Sequence, residues 1–232
     1  MYGNNFYYGM DSTYLLMIIA IAISAFAQFR VSSTFNKYLR VPNSSGARGF
    51  EVARRILDNA GLYDIPIEMT PGSLSDHYDP RTRVVRLSKE VYGGTSIASI
   101  SVAAHEVGHA IQHATGYAPL NLRSIIAPIA AISGNLVWIL VMAGIFMSMP
   151  VLINIGIYMF IAVLLFQLIT LPVEFNASKR ALTELETGFI TREEVGSSRK
   201  VLNAAAMTYV AATLVSVLQL LRLISISGRR RD

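Results

Sequence analysis

His105-Glu106-Val107-Gly108-His109 gathers two of the chain's four histidines around a glutamate, within the apolar run VAAHEVGHAIQH at positions 102–113. Residues four apart on a helix share a face, about one turn from each other. His105 and His109 can therefore bind one zinc ion through their imidazole nitrogens, each at about 2 Å. Glu106 is not a ligand in this arrangement. It stands within reach of a zinc-activated water as general base. Zinc lowers the pKa of a bound water to about 7 and polarises a carbonyl, so the chemistry this pentad supports is peptide hydrolysis. Three ionisable groups on an otherwise apolar helix would be costly without a shared partner such as the ion. Gly108 leaves room beside the helix for a substrate or a packed strand.

Catalytic zinc needs a third protein ligand and one open position. A third histidine six residues after His109 would mark the metzincin pattern, but Thr115 occupies that place. His113 lies a turn beyond His109 and is rotated by a further ~40°, so it reads as a neighbour of the ligands or a surface histidine. Glu174 is the better third ligand. It follows the third apolar stretch, on the same side of the membrane as the pentad, where a new helix is expected to open and its dipole to favour a carboxylate.

The elements that must position these groups begin with membrane helices. Only 15% of the 232 residues are charged and 53% are apolar, against about a quarter charged in an average soluble domain. Four apolar stretches, at 13–29, 124–149, 151–173 and 201–226, approach or exceed the about 20 residues that cross a bilayer. The second and third adjoin at Pro150 and read as a helical hairpin; the fourth is interrupted by Asn203, Thr208, Gln219 and Arg222. The first reads as a retained anchor. Ala25-Phe26-Ala27 resembles a cleavage site, but the preceding residues lack the basic charge of a signal peptide.

The chain thus divides into an anchor segment (1–29), a catalytic region (30–123), a transmembrane hairpin (124–173), a helix with the third ligand (174–200) and a fourth membrane helix with a basic tail (201–232). Within the catalytic region, 36–46 reads as a linker and 46–61 as an amphipathic helix with Phe50, Ala53, Leu57 and Ala60 on its inner face. Residues 65–69 alternate like a strand. The turn DPRT separates 74–78 from 83–88 as a hairpin or two short strands. Thr95 or Ser96 caps the metal helix and Gly116 ends it. Pro172 stands near the start of the Glu174 helix, and Thr191-x-x-Glu194 forms a capping box for the next. The fold class is a mainly α integral membrane protein with about four transmembrane helices and a small α+β zinc metalloprotease region.

Sixteen of the twenty Lys and Arg residues lie at 30–123 or 179–200. The hairpin returns these segments to one side, which the positive-inside rule makes cytoplasmic. The expected location is the bacterial cytoplasmic (inner) membrane, multi-pass, with the site facing the cytoplasm. The basic residues form no aromatic-interleaved patch, so no nucleic-acid partner is expected. The absence of cysteine excludes disulfides and thiolate metal sites.

The segments SDHYDPRTRVVRLS, SVAAHEVGHAIQH, LPVEFNASKRAL and AAAMTYVAATLVSVLQLLRLI together resemble the YugP-like bacterial membrane neutral zinc metallopeptidases. They are more broadly similar to membrane gluzincins of the HtpX and CAAX-prenyl protease type. There an HExxH motif is followed, across a hairpin, by a glutamate ligand in E-x-x-A-D. The resemblance implies His105, His109 and Glu174 as zinc ligands and Glu106 as base. Ser178 stands where the broader pattern has the aspartate that orients a ligand histidine, and it can offer one hydrogen bond in its place. Related gluzincins carry an edge strand above the metal that pairs with substrate. If 83–88 is that strand, the chain before it, with His77, passes close to the site.

His77, Arg180 and Tyr209 are candidates for stabilising the oxyanion. His77 equally suits an ordinary turn, Arg180 a solvated helix face and Tyr209 helix packing. The expected function is a membrane-embedded zinc endopeptidase acting on membrane or membrane-proximal polypeptides. The bilayer and a polypeptide substrate are its expected partners, and a regulatory membrane protein or a second copy is a further possibility. The rival reading is a non-catalytic membrane adaptor or assembly factor with a structural zinc site, which has no use for Glu106. A transporter ranks last, because the first three spans carry no interior ionisable residue.

Overall fold

The computed structural model describes residues 12–228. Its elements run α1 (Ser12–Leu39), α2 (Gly49–Asn59), β1 (Ile67–Thr70), β2 (His77–Asp79), β3 (Val84–Ser88), α3 (Lys89–Tyr92), α4 (Ile97–Ala114), α5 (Ala118–Phe146), α6 (Pro150–Glu186) and α7 (Arg192–Gly228). Four of these helices, α1, α5, α6 and α7, are long and apolar enough to cross a membrane. The chain is a mainly α membrane protein with one small sheet. It forms two compact units.

Of the described residues, one unit comprises 12–27, 123–169 and 210–228. Its described part is built on close helix contacts at small residues, which is how helices associate when lipid tails are as apolar as the side chains. A Cβ on Gly144 would stand 2.7 Å from Ile153 Cγ1, and one on Gly156 would stand 2.9 Å from Val141 Cγ2. Val137, Val141, Phe160 and Leu223 make its buried cluster. Large apolar side chains such as Ile125, Ile139, Phe146 and Tyr158 point outward, as suits a surface facing lipid.

The other unit comprises residues 28–122 and 170–209 and carries the HEVGH pentad. Its core packs α2 on α4, with Val85 and Leu87 of β3, Phe35 and Tyr38 of α1, and Ala181 and Leu185 of α6. Residues 36–39, expected in a linker, belong to α1. The helix continues because Phe35 and Tyr38 are buried in this core. In α2 the buried face is Gly49, Val52, Ala53, Ile56 and Leu57, a stripe at i, i+3, i+4, i+7 and i+8. Phe50 and Ala60, expected inside, are not on it; Phe50 stacks on Tyr92 at 5.0 Å instead.

The sheet has the order β1-β3-β2. β2 and β3 pair as an antiparallel hairpin, one of the two arrangements expected, with Tyr78 opposite Val85, although β2 begins at His77 and includes Asp79, expected in the turn; β1 runs parallel to β3. Because β3 is paired on both sides, 83–88 is the central strand and not an edge. β2 is the outer strand on the hairpin side. α4 starts and ends as its sequence indicates. Ser96 caps it by accepting from the Ser99 amide, and Gly116 follows at φ +63°, a conformation that glycine adopts without strain.

One expectation about α6 is overturned. Pro172 does not stand at a helix start; it lies inside a single 37-residue helix. A proline removes one donor from the ladder, and the remaining bonds of so long a helix carry it through. Glu174 is therefore in a helix interior, and the dipole reason for placing a carboxylate there does not hold.

Candidate metal centre

Helix α4 places His105 and His109 on one face, and α6 brings Glu174 against them. One ligand atom from each residue lies within 4.8 Å of the others, and all three residues are buried. Oε2 of Glu174 is 3.3 Å from His105 Nε2 and 3.5 Å from His109 Nε2. Each Nδ1 is engaged on the far side: His105 with Ser178 Oγ at 3.2 Å, His109 with Gln112 Oε1 at 3.0 Å. Two imidazole nitrogens and a carboxylate oxygen, converging and held from behind, fit zinc by donor type. Burial works against a charge on His109. The hydrogen bond and charge of Glu174, with Glu106 and Gln112, outweigh it and raise the pKa of this ring above the ordinary histidine value.

The two helices meet at Gly108. A Cβ there would stand 2.7 Å from the Ala177 carbonyl oxygen and 3.3 Å from its Cα. The space beside the metal helix is thus taken by the backbone of α6, not by a substrate or a strand. Gly108→Ala is expected to push α6 outward and to lower stability by about 1–3 kcal/mol, as overpacking does. A lower melting temperature together with reduced zinc retention in the purified protein would show it.

Glu106 lies on the same helix and is 8% exposed. Its Oε2 accepts a 3.0 Å hydrogen bond from the backbone amide of Tyr78, so the outer edge of β2 faces this carboxylate. Asp76, just before β2, accepts from the Ser88 amide at 2.7 Å and from its hydroxyl at 3.2 Å. Burial lifts the Asp76 carboxyl above its usual range despite these bonds, and the Glu106 charge pushes the same way. A cleft of about 290 Å³ opens here, lined by His105, Glu106, Asp76 and Tyr209 together with apolar side chains that include Val102 and Leu202.

Of the three oxyanion candidates, the structure brings only Tyr209 to this cleft. His77 is exposed on β2, and its Nδ1 is 2.8 Å from the Ser75 carbonyl oxygen. Successive strand residues point to opposite faces, so the side of β2 that buries Tyr78 turns His77 away. Arg180 donates from Nε to Asn176 Oδ1 at 2.9 Å and does not line the cleft. His113 is 2.8 Å from the Tyr78 hydroxyl and is not part of the ligand group. Ser178 lies against His105, with Oγ 3.2 Å from Nδ1.

Sequence reading missed Gln112, Asp76 and Tyr78. Gln112 carried a signal, since it is three residues after His109 and so on the same helix face. Asp76 and the Tyr78 amide carried none, because only the folding of β2 over α4 brings them to Glu106.

A family model described as "Putative neutral zinc metallopeptidase" matches residues 13–228. The chain belongs to this family. A relative from Bacillus subtilis (strain 168), described as "Putative membrane protease YugP", is 52% identical over 218 residues, covering 94% of this chain and 97% of that protein. No solved structure matches the chain. The family's metal is zinc, and the buried His105, His109 and Glu174 form a donor group suited to it.

Proposed function

We propose that the protein is a membrane-embedded zinc endopeptidase that hydrolyses peptide bonds of membrane or membrane-proximal polypeptides. The observation that carries this reading is the buried His105–His109–Glu174 group beside a glutamate that is not part of it and that faces an open cleft. A purely structural zinc site has no need of that glutamate.

His105, His109 and Glu174 would hold a zinc ion, which would supply Lewis-acid polarisation of the scissile carbonyl and a more acidic water. Glu106 accepts a proton as the water oxygen attacks the carbonyl carbon, and returns it to the nitrogen as the C–N bond breaks. The Tyr78 amide holds the Glu106 carboxylate in place before reaction. An extended polypeptide lies in the cleft beside Glu106 and Asp76. Tyr209, which lines the cleft, is the residue proposed to donate to the developing oxyanion. The apolar lining of the cleft and its place on a chain with four candidate spans favour substrates at or in the bilayer. The clustering of basic residues at 30–123 and 179–200 favours a site on the cytoplasmic side of the bacterial cytoplasmic membrane.

The test is cleavage of an unfolded model protein by the purified full chain in detergent. Chelation is expected to abolish cleavage, and added zinc to restore it. Zinc held stoichiometrically with no cleavage of any unfolded or membrane-inserted substrate would sink the peptidase reading and leave the structural one.

A further inference from the structure

We propose that a directional hydrogen-bond chain, Arg180–Asn176–Gln112–His109, sets the tautomer of His109 and presents its Nε2 lone pair to the zinc, with Gln112 as the positioning residue. This rests on reading His109 as a ligand. The chain has one polarity because its outer end cannot accept: a guanidinium carries only donors. Arg180 Nε donates to Asn176 Oδ1 at 2.9 Å, which fixes that atom as the amide oxygen. Gln112 lies 3.0 Å from the same oxygen, so it must offer its NH₂. Its second proton goes to the Val173 carbonyl at 2.8 Å, again a group that only accepts.

With both protons of its amide committed, Gln112 turns Oε1 toward His109 Nδ1, 3.0 Å away. That nitrogen must therefore carry hydrogen. In the neutral ring the other nitrogen, Nε2, is bare, and it faces Glu174. Gln112 is fully buried, so water is not at hand to replace it. Val173 and Asn176 flank Glu174 in sequence, so the amide that orients one ligand also ties down the helix that carries another. His105 has no such fixed partner. Its neighbour Ser178 is a hydroxyl, which donates or accepts by rotation and imposes no tautomer.

The experiment uses the full-length protein in detergent, with zinc affinity measured by chelator competition. The metal-free melting temperature and the ¹⁵N imidazole spectrum at alkaline pH are recorded alongside. Gln112→Met is expected to weaken zinc binding by about 10–100-fold, the usual effect of losing a partner of a ligand, and to give His109 a mixed tautomer. Asn176→Leu should weaken binding in the same direction and by less. Asn176→Asp keeps an acceptor between Arg180 and Gln112 and should bind zinc at least as tightly as wild type.

Unchanged affinity in Gln112→Met would overturn the proposal. So would an Nε2–H tautomer of His109 in wild type, or a loss in Asn176→Asp as large as in Asn176→Leu. If Gln112→Met does not fold, the Asn176 pair decides. If wild type binds no zinc, the ligand reading of the site fails, and the metal-free tautomer still tests the hydrogen-bond chain by itself.

Discussion

Glu106→Gln is expected to lower kcat by about 10²–10⁴-fold, the range for losing a positioned general base, while zinc content stays at the wild-type level. The two properties separate because Glu106 is outside the group of ligand atoms formed by His105, His109 and Glu174. Glutamine keeps an oxygen for the Tyr78 amide, which lies 3.0 Å from the carboxylate, so the local structure has no reason to change. What it lacks is basicity toward water. Single-turnover cleavage of an unfolded substrate, with metal measured in the same samples, checks both halves. Cleavage within a factor of a few of wild type would move the base elsewhere. Asp76 would then come first, as the other carboxyl lining the cleft.

Glu174→Ala is expected to abolish zinc retention and activity together. This loss should exceed the about 10–100-fold in affinity that a neighbour of a ligand costs, since a catalytic zinc has only three protein ligands. The carboxylate is 1% exposed and is shared by both histidines. Its removal also leaves two buried imidazoles facing a gap. Metal analysis after dialysis is the deciding measurement. A variant that holds zinc as firmly as wild type would show that Glu174 is not a ligand. Glu174→Gln, close in size and still an oxygen donor, should retain some metal and so separate loss of charge from loss of packing.

Features dictated by local spacing are legible in the residues alone. A separation of four between His105 and His109 puts both rings on one helix face whatever the rest of the chain does. Ser96 and Gly116 set the ends of that helix through bonds and dihedrals made within a few residues. Four runs of apolar residues are legible because a span is a property of continuous composition. Even Glu174, 65 positions beyond His109, is reachable through a family resemblance, although the helix-dipole argument for it does not hold: α6 runs unbroken through Pro172.

Whatever depends on which surface meets which became visible only in the folded chain. Gly108 suggests room for a substrate; what fills the space is the Ala177 carbonyl. β3 becomes the central strand because β1 pairs with its other side, a choice that no alternation in 65–69 could reveal. The amide that holds Glu106 belongs to Tyr78, 28 residues earlier, and backbone groups leave no mark in a sequence. Arg180 and His77 look alike as polar residues near the motif. They differ from Tyr209 only in direction, and direction is set by the packing of α6, the pleat of β2 and the course of α7. Local geometry is encoded residue by residue, whereas a site assembled from α4, α6, β2 and α7 exists only once their apolar faces have been buried together.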